Sequence, residues 1–399
     1  MLDAVIISNY WHFPSEKSSS RYHSIACMAK NCGISVEVIT SRFYHTQKRC
    51  RNEANIDVPY KATLIEEGSY KKNVSVARIL AHQRFAANVI KYLSGRKPPD
   101  VIYLFVPPAG LAEKVTRFSN ERNIRVIIDV LDLWPEAFGM ILPKAIATPL
   151  LYPMKHSVEY AYRNADAVIA VSDTYTRLAA QKNRKCRSGH SVFIGTDLHN
   201  FDAAAEGAQP LEGKLRPITM AYIGMLGHSY DLSSVMDAME LLRRQNVDEV
   251  ELLVIGDGPL REKFEKYAQQ LNLPVRFIGR LPYEEMVKKL VRCDIGINVL
   301  IGGSAATIIN KHADYAAAGI PIINVQKNQE FGELLLSYNA GFSSMPGDTG
   351  SLAESIRKLA QDDVLRKKMG QNSRRLAEDK FDRNQTYSEI ISIITGESE

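Results

Sequence analysis

Short apolar runs alternate with amphipathic stretches along most of this chain, and that alternation restricts the fold more than any other feature. Residues 4–8, 35–40, 101–105, 125–129 and 167–171 are short and almost uniformly apolar, the pattern of parallel strands covered on both faces. Between them, residues 22–32, 76–94 and 110–123 space their apolar side chains for helices. Strand, helix, strand in repetition predicts a doubly wound α/β sheet.

At 399 residues the chain exceeds the usual size of one core, so two domains are expected. Residues 196–217, containing AAAEGAQPLEGKLRP, lack apolar periodicity and read as a linker. The alternation then resumes. Strands are expected at 219–223, 251–255, 275–278, 295–300 and 320–325, and helices at 232–244, 260–271, 283–292 and 310–318. Helical patterns at 351–361, 364–379 and 383–394 close the chain.

The formal charge of +5 conceals an asymmetry. Residues 1–198 hold 27 Lys and Arg against 17 Asp and Glu, a net +10, whereas 199–399 hold 23 against 28, a net −5. The first half is therefore the half expected to meet an anion. Basic residues interleave with apolar and aromatic ones at 42–51, 71–97 and 182–187, which suits an anionic membrane surface or a phosphate-linked acceptor, and equally a solvated face. No nucleic-acid module is evident, so nucleic acid is not an expected partner. Nine His and five Cys show no metal-ligand or disulfide spacing, so no metal site is expected and the thiols read as those of a cytoplasmic protein. The N-terminus lacks the pattern of a secretory signal, and no apolar run is long enough to span a bilayer.

In open parallel sheets, ligands gather beyond the carboxyl ends of the strands, at helix N-termini that favour phosphate. Three such loops in the second half carry glycines: YIGMLGHS at 222–229 with Gly224 and Gly227, VIGDGPL at 254–260 with Gly256 and Gly258, and FIGRLP at 277–282. Together with a glycine pair at 302–303 they point to a nucleotide. In IINKHADYAAAGIPIINV, residues 308–325, Lys311 and Asp314 fall on one helical face near its start. A cation there suits a diphosphate and a carboxylate one turn on suits ribose hydroxyls; the alternative is a surface ion pair of little worth. In the first half, Asp132 and Glu136 sit four apart in a strand-end loop and are candidates to orient sugar hydroxyls or assist proton transfer, or Asp132 caps the next helix. Trp11 and Trp134 also follow strands, where an aromatic ring stacks on sugar, touches lipid or anchors its loop to the core.

The succession VIGDGPL, VRFIGRLPYEEM, CDIGINVL and NKHADYAAAGIPII resembles the donor half of glycosyltransferase family 4. The first half resembles that family more loosely, through SRYHSIACMAKNCGISVEVIT, DVLDLWPEAF, ADAVIAVSD and GTDLHNF. DLWPE resembles the bacterial subgroup that builds surface polysaccharides. The resemblance implies the GT-B fold, two Rossmann-like domains facing a central cleft. It also implies that the last helix crosses back, giving domains 1–198 plus 382–399 and 199–381. It places Lys311 on the diphosphate, Asp314 on the ribose where a Glu is usual, the main chain of Arg280 and Leu281 on the base, and Gly256 and Gly258 beneath it. Ser19 and Ser20 replace a glycine pair near the donor phosphates, with Arg21 following, and Asp132 faces the transferred sugar. Three departures stand out: Leu131 replaces a His, the loop MLGHSYDL lacks an Arg and a Lys, and Ala306 replaces a Glu. Contacts to the donor sugar are then expected from the backbone of 302–307, including Thr307.

The activity so implied is retaining transfer of a hexose or N-acetylamino sugar from a UDP-sugar to a glycan or polyprenyl-linked acceptor. No cofactor is expected. Because no D-x-D occurs, transfer is expected to be metal-independent, with Lys311, Arg21 and a helix N-terminus stabilising the leaving group. A peripheral position on the cytoplasmic membrane face fits the basic first half. A nucleotide-sugar epimerase of the same fold and a two-domain binding protein are the competing expectations.

Overall fold

The computed structural model describes residues 1–16, 21–52, 56–73, 75–135, 144–186, 188–208, 217–247, 249–302 and 307–397. The chain forms two compact units, Met1–Phe193 with Gln385–Glu399, and Ile194–Asn384.

In the first unit the strands are β1 (Asp3–Ser8), β2 (Ser35–Ser41), the short pair β3 (Phe43–Tyr44) and β4 (Arg49–Cys50), β5 (Lys61–Ile65), β6 (Val101–Val106), β7 (Arg125–Val130), β8 (Ala167–Ala170) and β9 (His190–Ser191). Seven of them form one parallel sheet in the order β5-β2-β1-β6-β7-β8-β9, while β3 and β4 make an antiparallel hairpin. Helices α1 (Arg21–Asn31), α2 (Val76–Gly95), α3 (Ala109–Glu121), α4 (Lys144–Asn164) and α5 (Asp173–Ala180) connect the strands. β6 is buried along its whole length, which is why its sequence is apolar without alternation.

The second unit contains α6 (Leu198–Ala205), β10 (Ile218–Ile223), α7 (Leu232–Arg244), β11 (Val250–Ile255), α8 (Arg261–Gln270), β12 (Val275–Gly279), α9 (Tyr283–Leu290), β13 (Ile295–Val299), α10 (Asn310–Ala317), β14 (Ile322–Val325), α11 (Glu330–Tyr338), β15 (Gly341–Ser344), α12 (Thr349–Gln361) and α13 (Asp363–Leu376). Its parallel sheet runs β12-β11-β10-β13-β14-β15. Met220, Tyr222, Leu252, Val254 and Ile297 from one sheet face pack with Val235, Met239, Phe264 and Ile356 from the covering helices. In each sheet the strand order reverses beside the first strand, at β1/β6 and at β10/β13, the position where doubly wound sheets bind ligands.

Two sequence expectations are corrected. Residues 196–217 are not linker throughout: Asp197 caps α6, its carboxylate accepting from Asn200 N at 3.1 Å, and Leu198, Phe201 and Ala204 bury one face. The unit boundaries fall at 193/194 and 384/385 rather than 198/199 and 381/382. The reason is local bonding. Thr196 N donates to Phe381 O at 2.8 Å and Arg383 N to Thr196 O at 3.0 Å, while the Arg383 guanidinium donates to Ile194 O and Gly195 O. Both connecting segments thus belong to the second unit until α14 (Arg383–Thr395) leaves it.

Candidate active site

At the β10/β13 reversal the loop after β10 is locked to the loop after β11. Gly224 has φ +121°, a conformation that strains any residue with a Cβ. A Cβ on Gly256 would overlap Gly224 O, and one on Gly258 would stand 2.5 Å from Leu226 O. Gly224 N donates to Ile255 O and Leu226 N to Asp257 O, each at 3.0 Å. These glycines are therefore required first by backbone meeting backbone. Gly227 stands next to Met225, whose side chain is exposed.

Lys311, in the first turn of α10, lies beside this junction, with Nζ 3.5 Å from where a Gly224 Cβ would stand. Nζ lies 3.8 Å from the ring centroid of Tyr222 and 4.1 Å from that of Tyr230. Tyr222, the last residue but one of β10, is held by its hydroxyl donating to Met225 O at 2.7 Å; Tyr230 is held by a backbone bridge to Leu300. Lys311 is only 6% exposed, and Nζ makes no hydrogen bond among the described residues. Burial holds its pKa well below the ordinary lysine value. Two aromatic faces return about 2 kcal/mol each at best, against an effective cost of several kcal/mol for burying an ion. An anion is what this arrangement lacks.

Asp314 shares the helix face but not the surroundings. Tyr283 Oη donates to Asp314 Oδ1 at 3.0 Å and lies 2.9 Å from Thr196 Oγ1. Burial pushes the carboxyl up to about 6, opposed by the Tyr283 bond and the Arg383 charge. Lys311 and Asp314 do not pair with each other, so the surface ion pair is excluded. The neighbouring His312 stacks on Phe331 at 3.6 Å and accepts at Nδ1 from Ile309 N at 3.3 Å; burial first, then the Lys311 charge, keeps it neutral. Thr307 is buried, its Oγ1 making no hydrogen bond among the described residues, and its carbonyl accepts from Gln326 Nε2 at 3.1 Å. Gln326 continues a buried amide ladder: Asn298 Nδ2 donates to Asn324 Oδ1 at 2.8 Å and to Gln326 Oε1 at 3.3 Å. Arg280 is exposed. Leu281 lines a 320 Å³ cavity with Thr219, Leu253 and Cys293.

In the first unit a cavity of 280 Å³ opens at the β1/β6 reversal. Asn9, Tyr10, Trp11 and His12 from the loop after β1 line it, with Tyr44, His45 and Arg51 around the β3–β4 hairpin. Arg78 of α2, Pro107 after β6, and Leu131, Asp132 and Trp134 after β7 complete the wall. Trp134 Nε1 donates to Asp132 Oδ2 at 3.2 Å, and the Arg78 guanidinium lies 5.2 Å from the Trp134 ring. Arg78 Nη2 donates to Tyr10 Oη at 2.7 Å. Burial first, then Lys48 and Arg78, lowers His45 to about 4; burial, then Arg78 and His45, lowers His82 to about 3. Aromatic rings beside a carboxylate, an amide and the neutral imidazole of His45 can stack on and hydrogen-bond a polyhydroxyl ligand.

Comparison with known proteins agrees with this layout. Residues 208–376 match the family model described as glycosyl transferases group 1. The chain is 25% identical over 336 residues to the probable glycosyltransferase WbjE of Pseudomonas aeruginosa, covering 81% of this chain and 80% of that protein. It is 21% identical over 309 residues to the capsular polysaccharide biosynthesis glycosyltransferase CapM of Staphylococcus aureus, covering 75% and 77%. Its second unit carries the match to the group 1 glycosyltransferases. Its fold is GT-B, shared with Anabaena HepE solved with UDP-glucose (TM-score 0.68, 14% identity, 99% of this chain and 100% of the other).

Arg21 is not placed as its sequence suggests. Nε and Nη2 grip Asp129 at 2.7 and 3.2 Å, and Nη1 donates to Val192 O at 2.8 Å and Phe193 O at 3.1 Å. The residue is 3% exposed, so it ties α1 to β7 and the chain end of the unit instead of facing a phosphate. Trp11, fully buried, belongs to the core. Arg51 is likewise spent internally, on Glu16, Ser41 O and Trp11 O. Glu136, Ser19, Ser20 and Ala306 lie outside the described residues. Nothing in the spacing of Tyr222, Tyr230, Tyr283 and the Asn298 ladder marks them in the sequence; the tyrosines meet their partners only through tertiary packing.

Proposed function

We propose that this glycosyltransferase moves a hexose or N-acetylamino sugar from a UDP-sugar to a glycan or polyprenyl-linked acceptor, in bacterial surface-polysaccharide assembly at the cytoplasmic face of the membrane. The observation that carries the donor assignment is the desolvated, unpartnered Lys311 ammonium between Tyr222 and Tyr230 in the first turn of α10. A donor diphosphate supplies the missing anion, and Lys311 with the α10 N-terminus stabilises the charge that grows on it as the glycosidic bond breaks. Asp314, oriented by Tyr283, accepts from the ribose. The main chain at Arg280 and Leu281 meets the base, and Thr307 contacts the sugar. Support for UDP comes from HepE, solved with UDP-glucose, and support for polysaccharide assembly from the name of CapM.

The first-unit cavity is read as the acceptor subsite, with Asp132 in its wall orienting hydroxyls where the transferred sugar meets the acceptor; Glu136 is assigned to the same task on its sequence position. Its hydroxyl attacks on the face the diphosphate leaves, its proton passes to the departing phosphate, and the anomeric configuration is retained. No divalent ion takes part, a reading supported by the missing D-x-D. The test is incubation with a panel of nucleotide sugars, with and without lipid-linked acceptors, with EDTA present. Released UDP and an α-linked product from an α-linked donor are expected. An epimerised nucleotide sugar without acceptor, or activity abolished by EDTA, would replace this reading.

A further inference from the structure

The segment 68–99 holds Lys71, Lys72, Arg78, Arg84, Lys91, Arg96 and Lys97 and not one Asp or Glu. It is built around α2, whose inner face buries Ala81, Phe85, Ala86, Val89 and Leu93 in the first unit. That burial accounts for one apolar stripe. A second stripe is left over. Val76, Ile79 and Leu80, spaced i, i+3 and i+4 on the opposite side of the helix start, are 71%, 50% and 59% exposed. Exposed apolar residues so grouped mark a contact surface. The other two basic stretches differ: Arg42 pairs with Glu66, Lys182 with Glu159 and Lys185 with Asp166. In segment 68–99 Lys71, Lys72 and Arg84 stay exposed near the apolar residues in sequence, and Lys91 and Lys97 stay exposed farther along.

We infer that Val76, Ile79 and Leu80 form a wedge by which this enzyme docks on an anionic lipid bilayer. An apolar face rimmed by Lys and Arg lies in the plane of such a surface, its side chains among the acyl chains and its cations over the headgroups. Charge selects the occupant: Arg96 is neutralised by Asp3 and Glu37, but the five exposed cations of the segment repel a second copy of the same surface and attract anionic lipid. The purpose of the wedge rests on the transferase reading above. Arg78, two residues from Val76 and one from Ile79, lines the cavity assigned to the acceptor, so the same helix turn touches bilayer and acceptor subsite and a polyprenyl-linked acceptor passes directly between them.

Sedimentation with vesicles of phosphatidylcholine alone, or containing phosphatidylglycerol, tests this. The full chain is expected to bind only the phosphatidylglycerol vesicles, more weakly as salt rises. The triple variant Val76→Asp/Ile79→Asp/Leu80→Asp should lose at least tenfold in partitioning with an unchanged melting temperature. Lys71→Glu/Lys72→Glu should lose severalfold at low salt and match the parent at high salt. Unchanged vesicle binding by the triple variant overturns the wedge, as does a parent that ignores vesicles or forms a dimer dissociated by the triple variant. UDP release from the donor with a detergent-solubilised lipid-linked acceptor, without vesicles, is measured alongside. If it is absent while vesicle binding is lost in the triple variant, the transferase reading fails and the wedge stands; intact release with vesicle binding unaffected does the reverse.

Discussion

At the strand-order reversal of the first unit, Asp132, Tyr10 and Arg51 already hold hydrogen-bond partners; at the equivalent point of the second, Lys311 Nζ and Thr307 Oγ1 make no hydrogen bond among the described residues. The same topology has thus produced two kinds of site. The first is a preformed, partly open cavity whose polar groups keep their orientation when empty, as recognition of a neutral polyhydroxyl ligand needs. The second is an electrostatic deficit waiting for charge, as stabilisation of a leaving phosphate needs. The difference teaches that a cation need not be exposed to be available for a ligand, provided its burial is uncompensated.

The contrast breaks most readily at Lys311. Lys311→Met should lower kcat/KM by about 10²–10³, weaken UDP binding, and raise the melting temperature because an uncompensated charge is gone. Donor affinity equal to that of the parent would remove the diphosphate assignment. Asp132→Asn should act on the other side only, lowering kcat/KM for acceptor by roughly 10–100-fold while UDP binding measured by calorimetry stays within twofold. A change in UDP affinity would show that the two sites are not separable.

Acid separates the units further. His45 and His82, lowered to about 4 and about 3, bind fewer protons folded than unfolded below pH 6.5. The first unit therefore loses stability as pH falls from about 6.5 towards 4, by on the order of 2–4 kcal/mol, and His82→Gln should flatten that loss. Asp314, raised to about 6, binds more protons folded than unfolded. Its ionisation penalty is present above pH 6 and is relieved as pH falls from about 6 towards 4, worth on the order of 1–3 kcal/mol to the second unit. Asp314→Asn should abolish that gain in chemical denaturation followed at pH 4.5 and 7.5. The smallest effect is also specific: because Lys311 is lowered when unliganded and a diphosphate favours its charged form, UDP binding should take up a fraction of a proton. Calorimetry in buffers of different ionisation enthalpy measures it, and zero uptake would mean Lys311 is already fully charged.

The central strands were readable because burial on both faces leaves them no polar alternation. Edges were not. β5 is only half-buried and mixes Lys61 and Thr63 with apolar residues, and β15 reads GFSS, so neither offers an apolar run. The β3–β4 hairpin was hidden inside a basic stretch. Lys311 stood out through its place at a helix start beside small residues, but its tyrosine cage did not, since Tyr222 and Tyr230 flank a loop whose path the sequence does not specify. Arg21 misled for the converse reason: its carboxylate partner, Asp129, lies 108 positions away, and local context showed only a cation near a presumed phosphate loop.

The interlock of Gly224 with Gly256, and of Leu226 with Gly258, has a consequence for redesign. Two loops that meet backbone to backbone behave as one module, so a donor-specificity graft that transplants either loop alone brings an unmatched surface into the joint. Chimeras exchanging 222–230 together with 254–260 should express as folded protein where single-loop exchanges precipitate, and evolutionary drift at one loop is confined to changes the other tolerates.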